Sequence, residues 1–331
     1  MKYLLIIFFL KIILLPAGAM ASCEEGELLI KFSHVSKDSH PKGLVATAIA
    51  NRINKEMNGK ACMQVFSKST LFNDNKVFEG LLLGDVQFAA PSLSKFEAYT
   101  KKFRIFDLPF LFKDADSIKR FLSGGKGKLL LSEIEDKGIS GIGFVDGGFK
   151  QFSANKPLYL PSDAKRLTFR ANSSDVTVSM FESLGSKGVK IPFKEAYAAM
   201  QSGVVDGQEN SWSNILNSKF YEVQDGITET NHRTLTYMVI SSTAWMRSLS
   251  PDMRSQILMI MNEEIDAANE RFALKDQQAK SELMSLGVPI RSLSDEQRKE
   301  WEHTMNKVWD KYSRVIGQEL ISEAIKSNSV N

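Results

Sequence analysis

The chain has 331 residues, with 42 Lys and Arg against 39 Asp and Glu and a formal charge of +3. That balance gives no electrostatic case for nucleic acid, because affinity for a phosphate backbone scales with the cations that meet it. The length is enough for a large core and, at roughly 100–200 residues per domain, for two domains.

Residues 1–21 read as a secretory signal peptide. Lys2 supplies the charged start, LLIIFFL and IILL the apolar region, and Ala19-Met20-Ala21 the small-x-small cleavage site. Lys11 interrupts the apolar run before it reaches the 18 or more residues of a membrane-spanning helix, and no later segment approaches that length. Lys2 and Lys11 leave with the peptide, so the 42 basic residues become 40 against 39 acidic ones. The chain is expected to be exported. Cys23 and Cys62 are the only cysteines, the number for one disulfide in an oxidising compartment. Met20-Ala21-Ser22-Cys23 also fits a lipoprotein processing site with the lipid on Cys23. Lipidation leaves Cys62 unpaired, which favours the disulfide.

Along the chain, short β-like runs alternate with helix-like segments. The runs are Leu28–Phe32, Cys62–Phe66, Val86–Ala90, Gly141–Val145, Leu167–Arg170 and Val189–Phe193, and the alternation is that of an α/β fold. Pro41 opens one helix, Asn73-Asp74 precede another, and Gly84 stops it. The segment Ser123–Leu130 has Leu129 where a phosphate-binding loop needs Ser or Thr, so it reads as a loop and helix start. The clearest helix opens at Ser250-Pro251 and ends at Gly287, with Ile257, Met261, Ile265, Ala268 and Phe272 as its buried stripe. Some 35 residues reach roughly 50 Å, longer than a domain is wide, so the helix is expected to brace two domains. A capping signature at Ser294–Gln297 starts a final helix through Ile321.

The histidines, His34, His40, His232 and His303, show no metal-ligand spacing, and no GxSxG is present. No metal, cofactor or catalytic centre is therefore expected. The segment GVVDGQENSWSN, Gly203 to Asn214, concentrates polar side chains around Trp212. Asp206 and Glu209 form either a carboxylate pair for acid–base work or, with nothing nearby to complete a mechanism, the scaffold of a turn at Asp206-Gly207. Trp212 is core or pocket wall, and the sequence leaves both open. Arg170 ends the apolar run LTF, which places a planar cation at the carboxyl edge of a strand, where open α/β sheets bind ligands. It is either a carboxylate fork or a domain-surface salt bridge.

Taken together, KFSHV (Lys31 to Val35), DLPFLF (Asp107 to Phe112), GGFKQFSANKPL (Gly147 to Leu158), LTFR, YAAMQSGVVDGQENSWSN, KFYEVQ and TNH resemble the solute-binding proteins of TRAP transporters. The match runs from about Glu27 to the C-terminal helices, and GFKQFSANKPL with AAPSLSKF is most similar to the C4-dicarboxylate branch. The resemblance implies a periplasmic-binding-protein-like α/β fold of two lobes with a hinge, and a monomer that delivers an organic acid to small and large membrane subunits. It implies no catalysis. Arg170 is then the carboxylate clamp, Asn210 its support, Phe193 an aromatic wall and Lys150 a second basic group. Pro91 and Ser92, His40 in the loop Ser33–His40, and Tyr237 from a crossover strand are expected to complete the cleft. Ser211 stands where the family usually has Pro. The partner of the distal carboxylate is left open, as are a keto, aromatic or sugar acid ligand and a sensor role. The expected lobes are Glu27–Gly148 with Met238–Lys275, and Phe149–Tyr237 with Asp276–Ile325.

Overall fold

A computed structural model describes residues 23–329; the signal-peptide segment lies outside the described residues. Two mixed sheets form the centres of two lobes. The first, ordered β2-β1-β3-β10-β4, is built from β1 (Leu28–Ser33), β2 (Ala61–Phe66), β3 (Phe88–Ala89), β4 (Ile139–Phe149) and β10 (Thr234–Ser242). The second, ordered β11-β9-β5-β8-β6-β7, contains β5 (Gln151–Ala154), β6 (Thr168–Ala171), β7 (Lys187–Lys190), β8 (Gly207–Asn210), β9 (Gly226–Glu229) and β11 (Ile290–Ser292). The expected α/β architecture holds, and each predicted run overlaps a strand. GQEN, expected beyond a turn, is itself strand β8, paired with β5 and β6.

Two crossings link the lobes side by side. β4 runs into β5 through Lys150, and β9 runs back into β10 through Asn231–Arg233. The crossings are tied where Lys150 N–H donates to Arg233 O at 2.8 Å. Gly148, at φ +78, precedes the first crossing, and a Cβ there would stand 2.7 Å from Asp276 Oδ2, so the position requires glycine.

The long helix, Pro251–Ser285, starts with Ser250 Oγ accepting from Met253 N–H. Ile257, Met261 and Ile265 pack on the first lobe with the helix Pro41–Glu56 and β4, while Ala279 and Leu283 join the second-lobe core around Trp212. It braces both lobes as its length predicted. The segment from Ser294 is three helices, Asp295–Met305, Val308–Ile316 and Gln318–Lys326, rather than one. Gly317 at φ +106 breaks the last pair, because no helix passes through that conformation. The last helix packs on Ala115–Ser123, and Asn328 Nδ2 donates to Leu111 O at 2.8 Å, so the C-terminus returns to the first lobe. Cys23 and Cys62 form a disulfide with Cα atoms 5.5 Å apart, tying the N-terminus to β2. Among the described residues no helix is long and apolar enough to cross a membrane.

Asp276 lies where the long helix passes the crossings. Its Oδ1 accepts from Ser213 N–H at 2.9 Å and Ser213 Oγ at 2.8 Å. Burial raises its carboxyl to about 7, against the Ser213 bonds and with help from Asp146. A raised acid contributes stability that is present below pH 4 and lost as pH rises through 7. Asp276→Asn keeps an oxygen for Ser213 and removes the charge. Its melting temperature, compared with wild type, is expected to be more favourable at pH 8 than at pH 5; an unchanged difference would show that the carboxyl does not titrate there.

Candidate functional site

The pocket between the lobes is assembled from both sheets. Alternation along β6 sends Phe169 into the core and Arg170 to the opposite face, at the pocket. Arg170 is 3% exposed; Nε donates to Ile191 O at 2.9 Å and the guanidinium lies 6.0 Å from the Phe193 ring. Among the described residues its two terminal nitrogens have no hydrogen-bond partner. Burial lowers its pKa to about 10, with Glu209 opposing and Arg233 adding to the shift. A buried guanidinium fixed at one nitrogen, with the fork free, is built to receive a carboxylate in two parallel bonds.

At the end of β8, Asn210 Oδ1 accepts from Asn214 Nδ2 at 2.8 Å, which leaves the Asn210 amide nitrogen free to donate. Asn214 also donates to the Tyr237 hydroxyl at 3.1 Å, joining second-lobe amides to the first-lobe strand β10. The other flank is closed by Asn172 Nδ2 donating to Ser92 Oγ at 2.8 Å, and Lys95 Nζ meets Ser173 Oγ at 2.7 Å. Ser39 Oγ donates to Asn217 Oδ1 at 2.8 Å. These bonds cross from lobe to lobe, so the arrangement is closed around the pocket.

Of the expected residues, Arg170, Asn210, Lys150, Phe193, Ser92 and Tyr237 line this pocket together. Three are placed elsewhere. Trp212 is packed in the second-lobe core, with Lys280 Nζ 5.4 Å from its ring, because it starts the helix Trp212–Asn217 on the face toward the long helix. His40 caps the helix Pro41–Glu56, its Nδ1 accepting from Lys42 N–H at 3.1 Å, and meets Tyr237 only edge-on at 6.3 Å between centroids. Pro91 contributes its carbonyl to Met238 N–H at 3.1 Å. Ser211 sits at φ −68, a proline-compatible angle, immediately before its helix.

Lys150 borders the pocket, but Nζ lies 2.8 Å from Glu209 Oε1, so its charge is already matched. Glu209 is not a turn scaffold. It is the hub of a buried network: Arg233 donates from Nε at 3.0 Å and Nη2 at 2.6 Å, and Arg233 Nη1 reaches Asp107 of the first lobe. Asp206 makes no turn with Gly207 either: it stands immediately before β8 and ties the neighbouring strands, accepting from Thr168 N–H at 2.7 Å and Asn155 Nδ2 at 3.0 Å. Sequence reasoning passed over Asn172 and Asn214, although their spacing carried a signal. Asn172 lies two residues after Arg170, just past the end of β6, and Asn214 four after Asn210.

Among the described residues, the one cluster of His, Cys, Asp and Glu side chains close enough for a metal is Cys23, Glu27 and Cys62, and its cysteines are in the disulfide. The fold and site thus define a two-lobed solute receptor shut over a small pocket with a buried cation. The chain belongs to the bacterial extracellular solute-binding proteins, family 7, whose model matches residues 32–315; these are the solute-binding proteins of TRAP transporters, receptors rather than enzymes. It is 49% identical over 312 residues to the C4-dicarboxylate-binding periplasmic protein DctP of Vibrio cholerae, covering 94% of each chain. A TRAP periplasmic solute binding protein of Shewanella oneidensis with bound succinate superimposes with a TM-score of 0.90 at 43% identity, over 92% of this chain and 100% of that one. A second, from Pseudomonas aeruginosa with bound L-malate, gives 0.84 at 38% identity, over 86% and 100%.

Proposed function

We propose that the chain is a periplasmic receptor for a C4-dicarboxylate such as succinate, malate or fumarate, and that it hands the acid to TRAP membrane subunits. The observation that carries this reading is Arg170, buried against the pocket with its fork unpaired. The relatives with bound succinate and L-malate support the ligand class. The electrostatics agree: the Lys150, Arg233, Glu209 and Asp107 charges cancel among themselves, so Arg170 faces the ligand without a competing carboxylate at ion-pair distance.

Closure follows from the same geometry. The acid would touch Arg170 and Asn210 from the second lobe and Ser92 and Tyr237 from the first, and both sets meet only in the closed arrangement. Binding therefore favours that form over an open one. The hinge of this reading is the pair of crossings at Lys150 and Asn231–Arg233, with the lobe boundaries close to Gly148 and Arg233; the second lies four residues before the expected Tyr237, because all of β10 from Thr234 pairs in the first sheet.

A thermal-shift screen of organic acids tests the ligand. Succinate or malate at 100 times its dissociation constant is expected to add about 2.7 kcal/mol of stability. A response confined to sugar, keto or aromatic acids would overturn the dicarboxylate assignment.

A further inference from the structure

Four cations are buried among the described residues: Lys42, Lys150, Arg170 and Arg233. Lys150 and Arg233 have carboxylates at ion-pair distance. Lys42 and Arg170 have none, which makes them the two places where the fold has desolvated a positive charge without an internal counter-ion. Burying an unpaired charge is costly, and a protein keeps one where something outside the chain supplies the partner.

Lys42 is 1% exposed, on the first turn of the helix Pro41–Glu56. Nζ donates to Ala90 O at 3.0 Å and lies 4.1 Å from the centroid of the Tyr237 ring. Tyr237 and Ser92 are first-lobe pocket walls, so the ammonium stands directly behind that wall while Arg170 faces the pocket from the second lobe. Burial lowers the pKa of Lys42, and Asp74, a pocket-lining acid beyond ion-pair distance, only partly opposes this. Its N-terminal neighbours do not share the charge. Burial holds His40 well below the ordinary histidine range and His34 at about 3, so both are neutral at physiological pH.

We infer that Lys42 is the first-lobe cation that matches the second carboxylate of the ligand, acting through the Tyr237 wall, and that it sets the preference for a dianion over a monoanion. The inference rests on the dicarboxylate reading above and assigns the distal charge that the sequence left open. It makes Lys42 a positioning residue whose field the ligand completes on closure. It also explains how Lys150, the expected second basic group, can be spent on Glu209 without leaving the distal carboxylate unmatched.

The test compares succinate with succinamate, which replaces one carboxylate by a neutral amide of the same shape, in calorimetric titrations of the full mature chain. Wild type is expected to bind succinate roughly 30-fold more tightly than succinamate, the scale of one partly buried charge pair. Lys42→Gln keeps a donor for Ala90 O and removes the charge. It is expected to weaken succinate about tenfold or more and leave succinamate within about threefold, so the discrimination collapses. A purely structural role would weaken both acids together and would overturn the inference. Lys42→Met carries the same comparison should the Gln variant fail to fold, and wild-type discrimination below about threefold would overturn the inference without any variant. Lys42→Gln with discrimination intact, alongside an Arg170→Ala variant that no longer binds, would remove this inference alone. Unchanged binding in Arg170→Ala would remove the reading beneath it.

Discussion

Arg170→Ala is expected to weaken dicarboxylate binding by about 2–5 kcal/mol, at least some 30-fold in affinity, when titrated calorimetrically. The magnitude follows from the preparation of the site. The guanidinium is already out of water, oriented by Ile191 O through Nε and backed by Phe193, so the folded protein has met the desolvation cost before the ligand arrives. A carboxylate then gains two charge-assisted bonds in a low dielectric with little further ordering. Removing the fork leaves the bound carboxylate buried without its partner, and that dominates the loss. Arg170→Lys restores a charge but not the planar fork and should recover only part of the affinity. The ligand-free variant should be no less stable than wild type, since it loses an unpaired buried cation and one bond to a carbonyl. Dicarboxylate binding unchanged in Arg170→Ala would remove the clamp from the reading altogether.

The local signals in the sequence were strong where one segment decides its own structure. Ser250-Pro251 and Gly84 mark helix ends because caps and left-handed stops are decided within a few residues. The apolar runs overlap strands for the same reason. Arg170 was legible because a cation at the end of a buried run has few uses. Long-range placement was not. Trp212 lies in a polar motif yet belongs to the core, because the long helix arrives from more than 60 residues away to cover it. Glu209 looked like turn chemistry until Arg233, 24 residues on, and Lys150, 59 residues back, converged on it. Lys42 gave no signal at all, since a lysine in the first turn of an amphipathic helix is ordinarily solvated, and only the packing of Ala90 and Tyr237 buries it.

Glu209→Gln is expected to destabilise the ligand-free protein by about 3–5 kcal/mol at pH 7, measured by denaturant unfolding, because it strips the counter-ion from buried cations. Glu209 and Arg233 are fully buried, and the network they share with Lys150 and Asp107 joins β8, both crossings and the first lobe. Its two cations and two carboxylates balance; with Gln at 209 one positive charge is left over in the interior. Charge count, rather than any single bond, predicts the rescue. Lys150→Met combined with Glu209→Gln restores neutrality, with Arg233 still held by Asp107, and should recover much of the loss despite removing a second polar group. The pH dependence has a definite sign. Burial alone would raise the Glu209 carboxyl, but Arg233 and Lys150, with His232 beside them, outweigh it and hold it well below the ordinary carboxylate range. A depressed acid contributes stability that is present above its unfolded value near 4.5 and lost as pH falls through the folded value. The gap between wild type and Glu209→Gln should therefore be full at pH 7 and narrow in strong acid. An equal gap at pH 7 and in strong acid would mean that shape rather than charge sets the cost, and a double variant less stable than Glu209→Gln would show that the network is not held by charge balance.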